Sequence, residues 1–274
     1  MALPVEQPQN VNALYPSMKF GIQILDARRR KKVKYIPVHK DDIKDISFGC
    51  GFLLTGSSDK TLRTVDINAS KVVGVYQAPH RAWSVTWNRG KNLVYGGLQN
   101  GQVVEFDIRQ NGKNPTRVFA SGSPLPVMSI FYKNNGLLTL QSRLINWTPM
   151  DNGPPCALIG GNEGLAMPGS GVSLNYLQND VLATFRPPQS PPETVVYKIS
   201  GSSNSGIRSF KVTESSRFIV GNRHEKIARD KLISYNNNTF AACSNQQGRN
   251  TKIFTMSGTH VQTLVENRLG GTIR

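Results

Sequence analysis

The sequence predicts an all-β fold, a β-propeller, from an internal repeat and from the strands inside it. In residues 56–67 and again in 97–108, a glycine, a polar turn, an alternating strand and a closing aspartate follow one another. The corresponding positions lie 41 residues apart: Gly56 and Gly97, Asp59 and Asn100, Asp66 and Asp107, and, upstream of both segments, His39 and His80. A fixed period of about 40–45 residues with four short strands per unit is typical of a propeller blade.

An incomplete blade precedes the first full repeat. Residues 20–26 alternate like a strand, residues 27–32 predict the following turn, and residues 33–37 predict a fourth strand. Residues 1–18 carry three prolines and predict an irregular segment or the remnant of a strand. The propeller itself is therefore assigned to residues 19–274.

Five fuller blades follow. The predicted strands are 43–48, 52–55, 61–67 and 72–76; 83–87, 93–95, 102–108 and 117–119; 127–132, 137–141, 144–148 and 157–159; 172–177, 181–185, 194–199 and 207–213; and 231–235, 239–244, 251–255 and 260–265. Residues 186–192 are too rich in proline for a central strand and predict an exposed hairpin insertion. Residues 221–230 fit a short helix or a loop equally well.

The corresponding positions on the third strands predict packing between blades. They are occupied by Val65, Phe106, Trp147, Tyr197 and Phe254. A propeller must close its ring to remove its sheet edges, and six or seven blades are needed for this. About five complete blades with partial ends therefore predict a fragment or an incomplete gene model, with seven blades expected in the intact protein.

The net charge, the cysteines and the apolar runs of the chain indicate which classes of partner to expect. The chain has 33 basic and 17 acidic residues, a net charge of +16, which favours acidic proteins, nucleic acid or anionic surfaces as partners. Three widely spaced cysteines form neither a disulfide framework nor a metal-ligand spacing, which fits a reducing compartment. No apolar run approaches the roughly 18 residues of a membrane span, and the first residues do not resemble a signal peptide. We expect neither a membrane nor a small-molecule substrate among the partners.

No catalytic constellation emerges from the sequence, and whether the chain belongs to an enzyme is left open. His224 lacks a second histidine at metalloprotease spacing, and residues 51–58 lack the lysine of a phosphate loop. We expect the carboxylate of Asp59 to accept a hydrogen bond from the imidazole N–H of His39, with Thr55 or Ser57 behind it, and this bond to stabilise the blade. His80 with Asn100 is predicted to be a weaker copy. The structural blade residues are thus His39, Asp59, Asp66, His80, Asn100 and Asp107.

A basic segment stands out at the turn of the incomplete blade. Its cationic residues are Arg28, Arg29, Arg30, Lys31, Lys32 and Lys34. Three roles of this segment remain open. It is a solvated hairpin tip, a functional patch that contacts phosphates or acidic protein segments, or a nuclear-import signal. The tip is predicted to lie on the face opposite His39 and Asp59.

Arg81 and Trp83 are the candidate partner-binding residues. They lie near the loop that enters the first strand of the second full blade, and both residue types are favoured in interface hot spots. Packing between blades is the alternative role for Trp83.

Several segments carry a resemblance to a known family. Residues 56–63 resemble the generic WD repeat, with Val65 and Asp66 in place of Trp-Asp. Residues 20–25, 35–39, 83–87 and 95–101 resemble the C-terminal propeller of the RING-finger and WD-repeat ubiquitin ligases of replication stress and interstrand crosslink repair. The likeness covers about residues 18–110.

The resemblance implies a nuclear protein, with the cytoplasm as the alternative, whose propeller recognises replication protein A and ubiquitination substrates. In that family a separate RING domain recruits the ubiquitin-charged conjugating enzyme. This sequence has no Cys/His cluster for the zinc of a RING, so we expect no cofactor and no transferase chemistry in this chain. Two other readings stay open, a free-standing WD-repeat scaffold and a basic propeller that binds nucleic acid directly.

Overall fold

The structure is a computed structural model of the 274-residue chain. It describes residues 2–6, 17–26, 29, 31–88, 90–110, 114–133, 135–151, 153, 155–160, 167–177, 180–202, 209–220, 231–236, 238–245, 250–267 and 272–273. Throughout these residues the regular structure consists of antiparallel strands, and no helix occurs among them. A membrane-spanning helix is accordingly not found in this part of the chain.

The first sheet has three strands in the order β1-β2-β3. They are β1 (Ala2–Glu6), β2 (Phe20–Asp26) and β3 (Lys31–His39). The fourth strand of this blade was predicted to begin at residue 33, but β3 already begins at Lys31, which pairs with Asp26. Lys31 and Lys32 therefore lie in the strand rather than in the turn.

The next two sheets have four strands each, in the orders β4-β5-β6-β7 and β11-β10-β9-β8. The strands are β4 (Ile43–Gly49), β5 (Phe52–Ser57), β6 (Thr61–Asp66), β7 (Lys71–Gln77), β8 (Ala82–Asn88), β9 (Leu93–Leu98), β10 (Gln102–Asp107) and β11 (Arg117–Ala120). Each strand pairs with its neighbour in sequence, which is the meander of a propeller blade.

Three further sheets follow, in the orders β12-β13-β14-β15, β16-β17-β18-β19 and β20-β21-β22-β23-β24. The strands are β12 (Ser129–Lys133), β13 (Gly136–Gln141), β14 (Leu144–Pro149), β15 (Cys156–Gly160), β16 (Ser170–Leu177), β17 (Asp180–Arg186), β18 (Glu193–Ser202), β19 (Ser209–Ile219), β20 (Lys231–Tyr235), β21 (Asn238–Asn245), β22 (Asn250–Thr255), β23 (His260–Asn267) and β24 (Thr272–Ile273). The all-β prediction of about five blades is confirmed. Residues 221–230, for which helix and loop were both open, lie outside the described residues.

Two compact units make up the chain. The first comprises Met1–Thr139 with Pro149–Asp151, and the second comprises Leu140–Thr148 with Asn152–Arg274. In each unit the core forms where the faces of consecutive sheets meet, since a single blade cannot bury both of its faces alone. The five corresponding third-strand positions, from Val65 to Phe254, are all buried.

One core of the first unit lies between the sheets β4–β7 and β8–β11. Leu54, Leu62 and Tyr76 come from one sheet, and Trp87 and Phe106 come from the other. A second core in this unit joins Ile22, Ile36 and Val38 of the first sheet to Leu53 and Val65. In the second unit, residues of β17–β19 pack with Ala241, Cys243 and Phe254.

The strand register of the first unit creates two distinct sides. In one sheet Phe48 pairs with Leu53, Leu53 with Val65, and Val65 with Val72, so the ends of β4 and β6 lie together. Ser58, Lys60 and their turn lie at the other end of the same sheet, where Ser58 N–H donates to Asp42 O and Ala78 N–H donates to Lys60 O.

The same two sides continue into the neighbouring sheet. Strand β8 runs alongside β4 in the same direction, since Val85 N–H donates to the Asp45 carboxylate at 3.0 Å and Trp87 Nε1–H to Ser47 O at 3.0 Å. We call the side formed by residues 39–42, 58–60, 78–81, 99–101 and 121–128 the His39 side. The opposite side, formed by residue 29 and residues 31–32, 48–51, 66–71, 88, 90–92 and 107–110, is the Lys31 side.

Candidate functional site

A buried polar network anchors the His39 side. The side chain of His39 is fully buried, and its Nδ1 lies 2.9 Å from Asp59 Oδ2, while its Nε2 lies 2.7 Å from Thr55 Oγ1. Because a carboxylate only accepts hydrogen bonds, Nδ1–H of His39 donates to Asp59. Oγ1 of Thr55 lies within hydrogen-bonding distance of both His39 Nε2 and the Arg63 carbonyl, at 2.7 and 3.1 Å, so both nitrogens of the imidazole have a hydrogen-bonding partner.

The ionisation of this pair is set by burial and hydrogen bonding. Burial lowers the pKa of His39 below its ordinary value and outweighs the opposite effect of the Asp59 carboxylate. Burial alone would raise the pKa of Asp59, but hydrogen bonds from His39, Thr61 and the Lys40 N–H hold that pKa well below its usual range. At neutral pH the site therefore contains a neutral imidazole and a carboxylate.

Arg63 completes the network, and the sequence analysis did not single it out. Its guanidinium donates through Nη1 to Val38 O at 2.6 Å and through Nε to Thr61 Oγ1 at 3.1 Å. Nη2 lies 3.7 Å from Asp59 Oδ2. The sequence feature that could have identified Arg63 is its charge, since it lies four positions after Asp59 in a strand whose other residues are largely apolar or small.

The buried network should make the fold sensitive to acid. His39 has a lower pKa in the folded chain than in the unfolded chain, so the unfolded chain binds the proton first as the pH falls. The free energy of unfolding should be maximal above the ordinary histidine pKa of about 6.5 and decrease below it, by at most about 1.4 kcal/mol per pH unit for one proton. The lowered pKa of Asp59 acts in the same direction and further decreases the free energy of unfolding below about pH 4.

Urea unfolding at pH 8, 6.5 and 5 would measure this dependence. His39→Gln should flatten the profile between pH 7 and pH 5, because the titrating imidazole is gone. His80→Gln is the matched control, since His80 is exposed. Equal slopes for the two variants would contradict the role of His39.

The second repeat does not reproduce the network. His80 is exposed, and among the described residues no hydrogen bond joins it to Asn100. The Asn100 side chain instead binds within its own turn, where its amide donates to Gln102 Oε1 at 2.7 Å and its carbonyl accepts the Gln102 N–H at 3.3 Å. The neutral amide of Asn100 makes its hydrogen bonds to Gln102, two residues away, and not to the imidazole of His80.

The aspartates that close the third strands stabilise turns. Asp66 Oδ1 accepts the Ala69 N–H at 2.9 Å, and Asp26 Oδ1 accepts the Arg29 N–H at 3.1 Å. Asp107 accepts the Arg109 N–H at 3.0 Å and also binds the Arg109 guanidinium at 2.9 and 2.6 Å. These carboxylates shape the turns of the Lys31 side by the hydrogen bonding that is typical of aspartate in turns.

The basic segment divides into residues with different roles. Arg29, Lys31 and Lys32 are exposed, whereas Lys34 is half-buried and its ammonium donates to Ile67 O at 2.8 Å and to Ser70 Oγ. Lys34 therefore joins the first sheet to the β6–β7 turn. Arg28 and Arg30 lie outside the described residues.

Arg81 and Trp83 lie at the start of β8 on the His39 side. Arg81 is exposed, and its carbonyl accepts the Gln99 N–H at 2.9 Å. Trp83 is half-buried beneath the ammonium of Lys44, which lies 5.2 Å from the ring centroid and also pairs with the Asp42 carboxylate. This stacking of a cation on an indole was not visible in the sequence, since Lys44 and Trp83 are 39 positions apart.

The surroundings of Arg81 combine charge with apolar surface. Lys40, Lys60, His80 and Gln99 are exposed on the same side, and Leu125 exposes 43% of its surface. Of these residues, Arg81 and Trp83 belong to the types that are enriched at protein interfaces. In the part of the chain that the structure describes, no group of three or more His, Cys, Asp and Glu side chains is arranged to hold a metal ion.

Antiparallel four-stranded blades with a buried His–Asp–Thr network define a β-propeller of the WD40 class. The chain belongs to the family described as the E3 ubiquitin-protein ligase RFWD3 WD40 domain, whose family model matches residues 1–142. Human E3 ubiquitin-protein ligase RFWD3 is 29% identical over 134 residues, and the corresponding protein of Mus musculus is 28% identical over the same length. Each match covers 47% of this chain and 17% of the relative.

Solved structures agree with the fold. The β-propeller domain of Cps50 (Swd1) from Myceliophteria thermophila has a TM-score of 0.70 and 15% identity, over 90% of this chain and 80% of that one. The computationally designed protein Ika8 has a TM-score of 0.56 and 13% identity, over 89% of this chain and 80% of that one. At these identities the likeness concerns the fold alone.

Proposed function

We propose that this chain is the partner-recognition region of a nuclear RING-type ubiquitin-protein ligase of the DNA damage response and interstrand crosslink repair. The family match over residues 1–142 carries the proposal. In it, the propeller binds replication protein A and ubiquitination substrates, and transfer of ubiquitin depends on a RING that binds zinc outside this chain. The exposed surface around Arg81 on the His39 side is the proposed contact.

The composition of this surface supports protein recognition. Arginine and tryptophan are enriched among residues that dominate binding energy, and the Lys44 ammonium lies over the Trp83 ring at the edge of the surface. Exposed lysines around them favour an acidic partner, because complementary charge accelerates encounter and orients the complex.

Binding of the full chain to purified replication protein A, measured by biolayer interferometry, tests the proposal. Arg81→Ala should weaken binding about 10-fold or more, as expected for an interface hot spot. Arg29→Ala is the matched control, since Arg29 is exposed on the Lys31 side. Equal affinities of the two variants would contradict the assigned surface, and no binding by the wild-type chain would favour the free-standing scaffold.

A further inference from the structure

The connection between β17 and β18 is rich in proline and ends in a serine followed by proline at its most exposed part. It runs from Pro187 to Pro192 and has Gln189 and Ser190 in its middle. Pro187 and Pro192 are buried, whereas Pro188, Gln189 and Ser190 are exposed. The connection therefore presents three consecutive residues to solvent, and Ser190 is the last of them.

Both ends of this connection are anchored to the sheet. Phe185 pairs with Glu193 across the β17–β18 ladder, immediately outside the connection. At its far end, Pro192 O accepts the Val220 N–H at 3.2 Å. The base of the connection is thus fixed by strand pairing and by this hydrogen bond, and its middle residues face solvent.

Hydrogen bonds do not hold the middle of the connection in place. The prolines have no N–H to donate, and among the described residues the N–H groups of Gln189 and Ser190 donate to no acceptor. A segment with exposed backbone and few buried contacts opens locally at a low cost in free energy. Since the residue before a proline favours an extended backbone, Ser190 is suited to enter an enzyme site as part of an extended segment.

The fold distinguishes Ser190 from the other hydroxyl residues that precede proline. These are Ser123 and Thr148. Thr148 lies in β14 and is 5% exposed, so its hydroxyl is inaccessible to an enzyme while the chain is folded. Ser123 is half-buried, and its Oγ accepts the Leu125 N–H at 3.3 Å. Among these three residues, Ser190 alone is exposed.

We propose that Ser190 is a phosphorylation site for a proline-directed protein kinase. A kinase site that offers no acceptor to the amide of the following residue selects proline there, because Pro191 has no N–H to leave unsatisfied. In the reaction a carboxylate of the kinase takes the proton of the Ser190 hydroxyl, and Oγ bonds to the γ-phosphorus of ATP. The bond from that phosphorus to the bridging oxygen breaks, and ADP leaves.

The charges around Ser190 are compatible with an added phosphate, which carries about −1.5 to −2 charges at neutral pH. Glu193, the carboxylate nearest in sequence, pairs with the Arg217 guanidinium at 3.1 Å. Arg186 is exposed at the end of β17, and it forms no ion pair with the carboxylates that the structure describes. Phosphorylation should therefore leave the fold intact. The site belongs to the second unit and does not depend on the contact proposed for Arg81.

Incubation of the full chain with MgATP and a recombinant mitogen-activated protein kinase, which is proline-directed, tests this proposal. Peptide mapping by mass spectrometry should locate the phosphate on Ser190. Ser190→Ala should abolish incorporation, and Ser123→Ala, the matched control, should keep the wild-type rate. Both variants should melt like the wild-type chain. Phosphate on Ser123 or Thr148 in the folded wild-type chain, or undiminished incorporation in Ser190→Ala, would overturn the site.

Pro191 distinguishes a proline-directed site from a serine that is merely accessible. Pro191→Ala restores an amide N–H after the serine and should lower the initial rate of incorporation at least about 10-fold, the effect of one unsatisfied polar group. Accessibility alone predicts no decrease, because alanine makes this connection less constrained. Ser190→Thr keeps a hydroxyl before proline and should still accept phosphate. An unchanged rate in Pro191→Ala would contradict the assigned class of kinase.

Discussion

Replacing Asp59 by alanine should lower the free energy of unfolding by about 3 kcal/mol, because this one carboxylate accepts hydrogen bonds from several donors, among them the fully buried imidazole of His39. His39 Nδ1–H lies 2.9 Å from it, and the Lys40 N–H and the Thr61 N–H lie 3.1 and 3.0 Å away. In the variant the imidazole stays buried without its acceptor. The guanidinium of Arg63, whose side chain is 9% exposed, also loses its only carboxylate within 4 Å among the described residues.

Urea unfolding followed by circular dichroism measures this loss, and Asp42→Ala is its control. Asp42 lies on the same side, but its side chain is 41% exposed and pairs with Lys44, so its removal should cost less than about 1 kcal/mol. A loss of replication protein A binding by Asp59→Ala with an unchanged melting temperature would mean that Asp59 acts in recognition and not in stability.

The network could be anticipated from sequence because its two principal members recur at a fixed spacing. His39 and Asp59 each have a counterpart 41 residues later, and the turn chemistry around Asp59 places the carboxylate at the end of a strand. The period of 41 residues relates equivalent positions in the two repeats, but different side chains occupy some of these positions, however. In the second repeat asparagine replaces the carboxylate, and the hydrogen bond to histidine is absent.

Strand ends were harder to predict where glycine occurs. The predicted second strands stopped at residues 55 and 95, whereas β5 continues to Ser57 and β9 to Leu98. Glycine usually indicates a turn, but here it allows close packing inside the ladder. A Cβ atom on Gly56 would lie 2.7 Å from Val85 Cγ1, and one on Gly96 would lie 2.9 Å from Leu62 Cδ2.

The remaining features depend on contacts between residues that are far apart in sequence. Lys34 reaches the turn after β6, and Lys44 covers Trp83. In the sequence around each of them, both lysines resemble ordinary solvated charges. Only the packing of neighbouring sheets shows which cations contact other residues and which stay exposed. The same packing separates Arg81 from the lysines at the start of β3.

Replacing Phe106 by alanine should lower the free energy of unfolding by about 3–5 kcal/mol, the usual cost of removing a fully buried phenylalanine. Phe106 is 1% exposed, pairs with Val94 across the β9–β10 ladder, and lies 5.3 Å from the Tyr76 ring. Tyr76 belongs to the neighbouring sheet. The substitution therefore leaves a cavity in the core that joins two blades, and both rigid sheets limit how far the cavity can collapse.

Urea unfolding of Phe106→Ala should be compared with that of Phe106→Leu and Val118→Ala. Leucine keeps most of the apolar volume and should cost less than half as much as alanine, while Val118 is 51% exposed and its truncation should be nearly neutral. If Phe106→Ala costs no more than Phe106→Leu, the ring does not fill the space between the blades. If Phe106→Ala loses more free energy of unfolding than Phe106→Leu, the aromatic positions on the third strands hold adjacent blades together. Recognition of a partner is then assigned to the exposed turns at the two ends of the strands.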